Sequence, residues 1–202
     1  MANDFDYYII FPKITENVPI LRNDDKHDIE GISFLYMDEY AKNIKTPVHL
    51  RFNPPVPKKP KMVDHLSLPS SVFSQKVYDV LEPLNIKELQ LVPVIITGEK
   101  SEKYNNYWVA NIYNCLECFD KDESIYEIDN FTKSWESIEK LVLDKKVLSR
   151  IPLKDRLIFV PKETSEFTIY HKTIVDIILS VNPEGVSFVS VEKWCEGIQF
   201  GK

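Results

Sequence analysis

"ELQLVPVIITGEKSEKYNNYWVANIYN", residues 88–114, decides the fold class. Its first ten residues are rich in Leu, Val and Ile, the composition of a buried strand. Pro93 interrupts that run, and a sheet tolerates proline at an edge or a bulge. "GEKSEKYNN" (98–106) supplies a polar turn. From 107 to 114 the pattern alternates. Trp108, Ala110 and Ile112 fall on one side, and Tyr107, Val109, Asn111 and Tyr113 on the other, the period of a strand. The stretch predicts a hairpin at the centre of a mainly antiparallel sheet.

The flanking segments extend this reading. Ser70 or Ser71 is placed to cap a helix running to about Leu81, with Pro83 beyond it. Phe73, Val77, Val80, Leu81 and Leu84 share one face of that helix. "IEKLVLD" (138–144), "RLIFVPK" (156–162) and "VSFVSVEKW" (186–194) are further strands. "KTIVDIILSV" (172–181) is a helix with Ile174, Ile177, Ile178 and Val181 on one face, closed by "NPEG". Towards the N-terminus, "DYYIIF" (6–11), "VPIL" (18–21), "GISFLYM" (31–37) and "PVHLRF" (47–52) are short strand candidates. Strands grouped around a few helices give an α+β class with a mainly antiparallel sheet.

Pro54, Pro55, Pro57 and Pro60, with Pro47 upstream, exclude a helix or central strand between 53 and 62. Lys58, Lys59 and Lys61 keep this segment wet. The expected organisation is an N-terminal β-rich lobe (1–52), a proline-rich connector (53–62) and an α+β core (63–202), which are also able to pack as one domain. A proline-rich recognition motif is the alternative role for the connector.

The chain has 202 residues, 44% of them hydrophobic and 28% charged, and carries a net charge of -6. Such a chain buries a sizeable core without disulfides. Its acidity argues against a general nucleic-acid binder, which needs a basic face. Asp4 and Asp6 stand where a signal peptide carries Lys or Arg, and the apolar run stops at Phe11. No run approaches the ~20 apolar residues of a membrane span. Three cysteines, an odd number, suit a reducing compartment. These features together predict a cytoplasmic protein.

Cys115 and Cys118 have the C-x-x-C spacing of a zinc half-site or a redox pair. A structural zinc site needs four ligands, yet Cys195 is the only other cysteine and His27, His49, His65 and His171 are scattered singly. Leu116 and Glu117 between the thiols do not match a thioredoxin-like motif. No metal or cofactor is therefore expected. Cys195 with His171 lacks nameable orienting or oxyanion groups. The five glycines form no phosphate loop, and no H-E-x-x-H occurs, so no catalytic residue is assigned.

One stretch carries unusual charge. "ECFDKDESIYEID" (117–129) holds Glu117, Asp120, Asp122, Glu123, Glu127 and Asp129 against Lys121, with Tyr126 inside it and Trp135 just beyond. It is either a solvated loop or an acidic surface that docks a basic protein. In the second case Asp122, Glu123, Glu127 and Asp129 form the charged surface, with Tyr126 or Trp135 as aromatic anchor.

The order of segments resembles an immunity-protein family of bacterial polymorphic toxin systems, the eleventh immunity type. The resemblance spans about Leu66 to Trp194. It rests on "LPSSVFSQKVYDVLEPL", "LQLVPVII", "YWVANIYNCLECFDKDES", "IEKLVLD" and "TIVDIILSVNPEGVSFVSV". The family's strand leading into a "D…S" ending is matched by Asp120 and Ser124, and its closing turn by Gly185 and Phe188. Its Phe-Arg before the penultimate strand is replaced here by "LSRIPLKDRLIF", with Arg150 and Arg156 out of that register. The resemblance implies a non-enzymatic protein whose partner is a cognate toxin domain. Two other readings stand beside it: an enzyme with a dispersed, motif-free site, and a structural or oligomeric scaffold. The pattern leaves oligomeric state open.

Overall fold

The computed structural model describes residues 4–13, 15–24, 47–131, 133, 135–164 and 166–198. The strand candidate at 31–37 lies outside these residues. In chain order the elements are β1 (Tyr7–Pro12), β2 (Leu21–Asn23), β3 (Val48–Phe52), β4 (His65–Leu66), β5 (Val72–Ser74), α1 (Gln75–Leu81), β6 (Leu89–Thr97), β7 (Lys103–Ile112), β8 (Cys115–Leu116), β9 (Ile125–Ile128), β10 (Trp135–Lys140), α2 (Lys145–Ser149), β11 (Ile158–Pro161), β12 (Ile169–His171), α3 (Lys172–Ser180) and β13 (Val186–Ser190). The class is α+β, and most strand pairs are antiparallel.

The described residues fall into two compact units. One draws on Met1–Phe11, Asn114–Asp176 and Ser187–Lys202, the other on Pro12–Tyr113 and Ile177–Val186. The first unit holds a sheet in the order β13-β1-β12-β11-β8 and a separate ribbon of β9 and β10. The second holds a six-stranded sheet in the order β2-β3-β6-β7-β5-β4. The division follows the sheets and leaves the proline-rich stretch inside the second unit. The reason is a long-range pairing: β3 runs parallel to β6, with Val48 opposite Val94 and Arg51 opposite Thr97. The stretch between them is tied down by Asn53 N donating to the Ile20 carbonyl and Lys61 N to that of Asn17, both at 2.8 Å. Val56 and Met62 pack on the second unit's core.

The hairpin of residues 88–114 is the centre of the six-stranded sheet. Leu89 pairs with Ile112 and Thr97 with Lys103, with a register shift between Val94 and Ile96. The turn is shorter than expected, because residues 103–106 extend β7 rather than the loop. Pro93 comes one residue before β3 begins to pair, where among the described residues β6 has no neighbour on that side. The missing proline N–H therefore costs no ladder bond there.

The helix expected from Ser70 begins only at Gln75, with Ser74 as its N-cap residue. Val72 to Ser74 instead form β5, drawn into the sheet by Val109, Trp108 and Tyr107 of β7. Val77 and Leu81 still give α1 one buried face. α3 matches its predicted span to within a residue, and Ile174, Val175 and Ile178 are buried. Among the described residues no helix is long and apolar enough to cross a membrane.

Candidate functional site

The acidic stretch is the entry to the β9–β10 ribbon, and its shape is set by side chains bonding to nearby backbone. Asp120 Oδ1 accepts from the amides of Asp122 and Glu123 at 3.0 and 3.1 Å. The Ser124 amide donates to the Asp120 carbonyl at 3.0 Å, and Ser124 Oγ accepts from Val142 N at 3.0 Å. Short Asp and Ser side chains favour such local turns. The pair Asp120 and Ser124 thus fixes the turn that holds Asp122 and Glu123 in solvent. Asp129 repeats the device at the far end of β9, where its Oδ1 accepts from the Phe131 amide at 2.8 Å.

Behind this turn lies a buried anchor. Glu163 is 7% exposed, and its Oε1 accepts from the amides of Cys118 and Phe119 at 2.9 and 3.0 Å. Its carbonyl takes the Trp135 amide at 2.9 Å, so one residue ties the start of the acidic stretch to β10. Cys118 sits in the core, and burial, with Glu163 and Glu117 nearby, pushes its thiol well above its ordinary range. Redox-active cysteines need the opposite shift. Cys115 is half-buried in β8, and Cys195 is exposed. His171 is almost fully buried, with Nδ1 3.0 Å from Thr173 Oγ1. Among the described residues no cluster of three or more His, Cys, Asp or Glu is placed to hold a metal ion.

Asp122, Glu123 and Glu127 are exposed, and Tyr126 and Asp129 are half-buried. Lys121, the one base in the stretch, hydrogen-bonds Glu117 Oε1 at 2.6 Å. That bond lowers the Glu117 carboxyl and raises the Lys121 ammonium. Asp122, Glu123 and Glu127 have no ion-pair partner among the described residues.

The two candidate aromatic anchors play different parts. Trp135 is 5% exposed and belongs to the first unit's core, so it is not itself a surface anchor. Its ring stacks on Tyr126 with centroids 3.5 Å apart and planes 5° from parallel, and on Phe119 at 5.6 Å. Trp135 is the floor and Tyr126 the accessible ring. No local pattern separates them, because burial of Trp135 depends on Phe119 packing beneath it.

Sequence reasoning missed the apolar part of this surface. Ile125 and Ile128 are each 52% exposed, and Phe131 is 95% exposed. The signal was present in "SIYEIDNF": apolar residues spaced among acids in a way that no single buried face accommodates. These exposed apolar groups lie among the four acids in sequence, with Ile125 on one face of β9 and Ile128 on the other.

Arg156, noted in sequence for its displaced register, lies elsewhere in the same unit and is 3% exposed. It donates to the carbonyls of Ile151 at 2.9 Å and Asp4 at 2.6 Å, and to the Tyr7 hydroxyl. It also packs over the Phe5 ring at 5.3 Å. Its work is to clamp the N-terminal residues.

The second unit offers a different feature, an apolar cavity of about 250 Å³. Val18, Ile20, Leu21, Val63 and Leu68 line it, with His65 in its wall. Burial drives the His65 imidazole down to about 4, opposed by the Gly185 backbone, so it is neutral at physiological pH. Among the described residues no carboxylate or cysteine lines this cavity.

A comparison with curated proteins finds no match. A family model matches residues 8–193, nearly the whole chain and more than the segment from Leu66 to Trp194 that carried the resemblance; the protein belongs to the immunity protein family (Imm11).

Proposed function

We propose that this protein binds one cognate toxin domain stoichiometrically and neutralises it by occlusion, without chemistry of its own, in the cytoplasm of the cell that makes it. The observation that carries this reading is the ribbon: Ile125, Ile128 and Phe131 exposed beside Asp122, Glu123, Glu127 and Asp129. Membership of an immunity family supplies the kind of partner. The acids raise the encounter rate with a basic toxin surface, and the apolar groups slow its release. Tyr126, backed by Trp135, is a preordered ring that loses little freedom on binding.

The test is co-expression with candidate toxin domains. The expected result is rescue of growth and a complex of defined stoichiometry by light scattering. Purified components that do not associate, or protection that persists without a complex, would remove this reading.

A further inference from the structure

The β9 strand has β10 along one side and, among the described residues, no strand along the other. A bare strand edge presents unpaired N–H and C=O groups and invites another strand. Proteins guard such edges with lysine, proline or a covering loop. The one charge on the strand itself is the exposed acid Glu127, with Asp122, Glu123 and Asp129 on either side; of the lysines nearby, Lys121 pairs with Glu117, Lys133 lies in the turn after β9 and Lys140 of β10 stands opposite Ile125. The exposed carboxylate of Glu127 favours a cation brought alongside this edge.

Along β9, Ile125 and Glu127 point to one face and Tyr126 and Ile128 to the other. We propose that β9 is an edge for strand addition by an extended basic segment. In that segment Lys or Arg alternates with apolar residues, the bases lying beside Glu127 and the apolar residues beside Tyr126 and Ile128. Main-chain bonds supply affinity and the alternating side chains supply selection. A second copy of this chain does not fit, because it would set the same acids against each other. The proposal rests on the toxin-binding reading for the source of the segment, and it names the segment's chemistry.

The edge is testable without the toxin. The isotope-labelled protein is titrated with a capped peptide of alternating Lys and Val, and separately with its Glu and Val counterpart. The expected result is saturable shifts of the Ile125 to Ile128 amides with the basic peptide, weakened by salt and absent with the acidic one. Ile125→Pro and Ile128→Pro remove N–H groups on opposite sides of the strand, with Ile125→Ala and Ile128→Ala as side-chain controls. One proline variant should keep its thermal stability and lose at least tenfold in affinity. The proposal is overturned by no saturable shift at millimolar peptide, by equal binding of both peptides, or by both proline variants binding as wild type. If the proline variants still neutralise the toxin, strand addition is wrong and the toxin reading stands. If the basic peptide docks on β9 but the toxin does not bind, the edge stands and the toxin reading fails.

Discussion

In the second unit, Asp64 Oδ1 accepts from Ser74 Oγ at 2.6 Å and its Oδ2 from the Glu184 amide at 2.7 Å, with Lys76 Nζ 3.5 Å away. On the ribbon of the first unit, Asp122, Glu123 and Glu127 stand in water with no such partner among the described residues. The apolar groups differ in the same way. Val63, Leu66 and Val72 beside Asp64 are buried, whereas Ile125, Ile128 and Phe131 are open. Around Asp64 both carboxylate oxygens are matched within the unit, and Val63, Leu66 and Val72 are covered. The ribbon is locally well made, through Asp120, Ser124 and Glu163, but its outer surface is left unmatched. A carboxylate whose hydrogen bonds are filled internally holds the fold together. One held outward by a neighbour's turn is available to a partner.

Substitutions should separate these two regions. The largest effect belongs to Gly185, whose φ is +79° and where an added Cβ would meet Val63 Cγ2 at 2.7 Å and the His65 carbonyl at 3.0 Å. Gly185→Ala combines left-handed backbone strain with a clash and should cost about 3 kcal/mol of stability, read by chemical denaturation. An unchanged midpoint would show that this turn is less tightly packed than the ribbon's support.

Acid should act on the same region. His65 takes a proton at 6.5 when unfolded and at about 4 when folded. The unfolded chain therefore binds more protons across that interval. The stability from burying neutral His65 is full above pH 6.5 and falls as the pH drops towards about 4. The loss should total about 3 kcal/mol. Thermal denaturation over this range should show the slope, and His65→Gln should remove it.

On the ribbon the effects should appear in binding. Tyr126→Ala removes the accessible half of the Tyr126–Trp135 stack and should cost about 2 kcal/mol of affinity for the toxin domain, measured by calorimetry. Changing Asp122, Glu123, Glu127 and Asp129 to their amides should alter stability by less than about 0.5 kcal/mol. The same variant should associate more slowly with the toxin, with a flatter dependence on salt, read by stopped-flow. Unchanged kinetics would move the interface off the ribbon. The smallest effect concerns the proline-rich stretch, where Lys58 and Lys59 are exposed while Lys61 pairs with Glu184 at 2.7 Å. Limited trypsin digestion should cut first after Lys58 or Lys59, and early cutting elsewhere in the interior would show that this stretch is not the most accessible interior segment.

The legible parts of the fold were those with long, regular patterns. Residues 88–97 showed the apolar, β-branched composition of a buried strand and 107–112 a strand period, together enough to fix the hairpin, and 172–180 showed a helical period. The two-residue strands β4 and β8 are too short to carry a period at all. Val72 to Ser74 fit a helical face as well as a strand, and pairing with β7 settled the choice. β9 escaped notice because its isoleucines are exposed, so alternation marked no buried face. At the candidate site, the acids and Tyr126 were visible as a run of like charge around an aromatic. Phe131 was not, because a lone phenylalanine reads as core until its surroundings are known.

By itself, the sequence determined the local periods, the sign of the charge on the ribbon and the turn chemistry of Asp120, Ser124 and Gly185. All of these depend on residues a few positions apart. The tertiary structure decided that Trp135 lies beneath Tyr126, that Arg156 reaches back to Asp4, that Glu163 holds Cys118 and Phe119, and that His65 is buried neutral. Each of these is set by groups far away in the chain. Burial and hydrogen-bond partners are properties of the packed neighbourhood, and no local pattern encodes which distant residue will fill it.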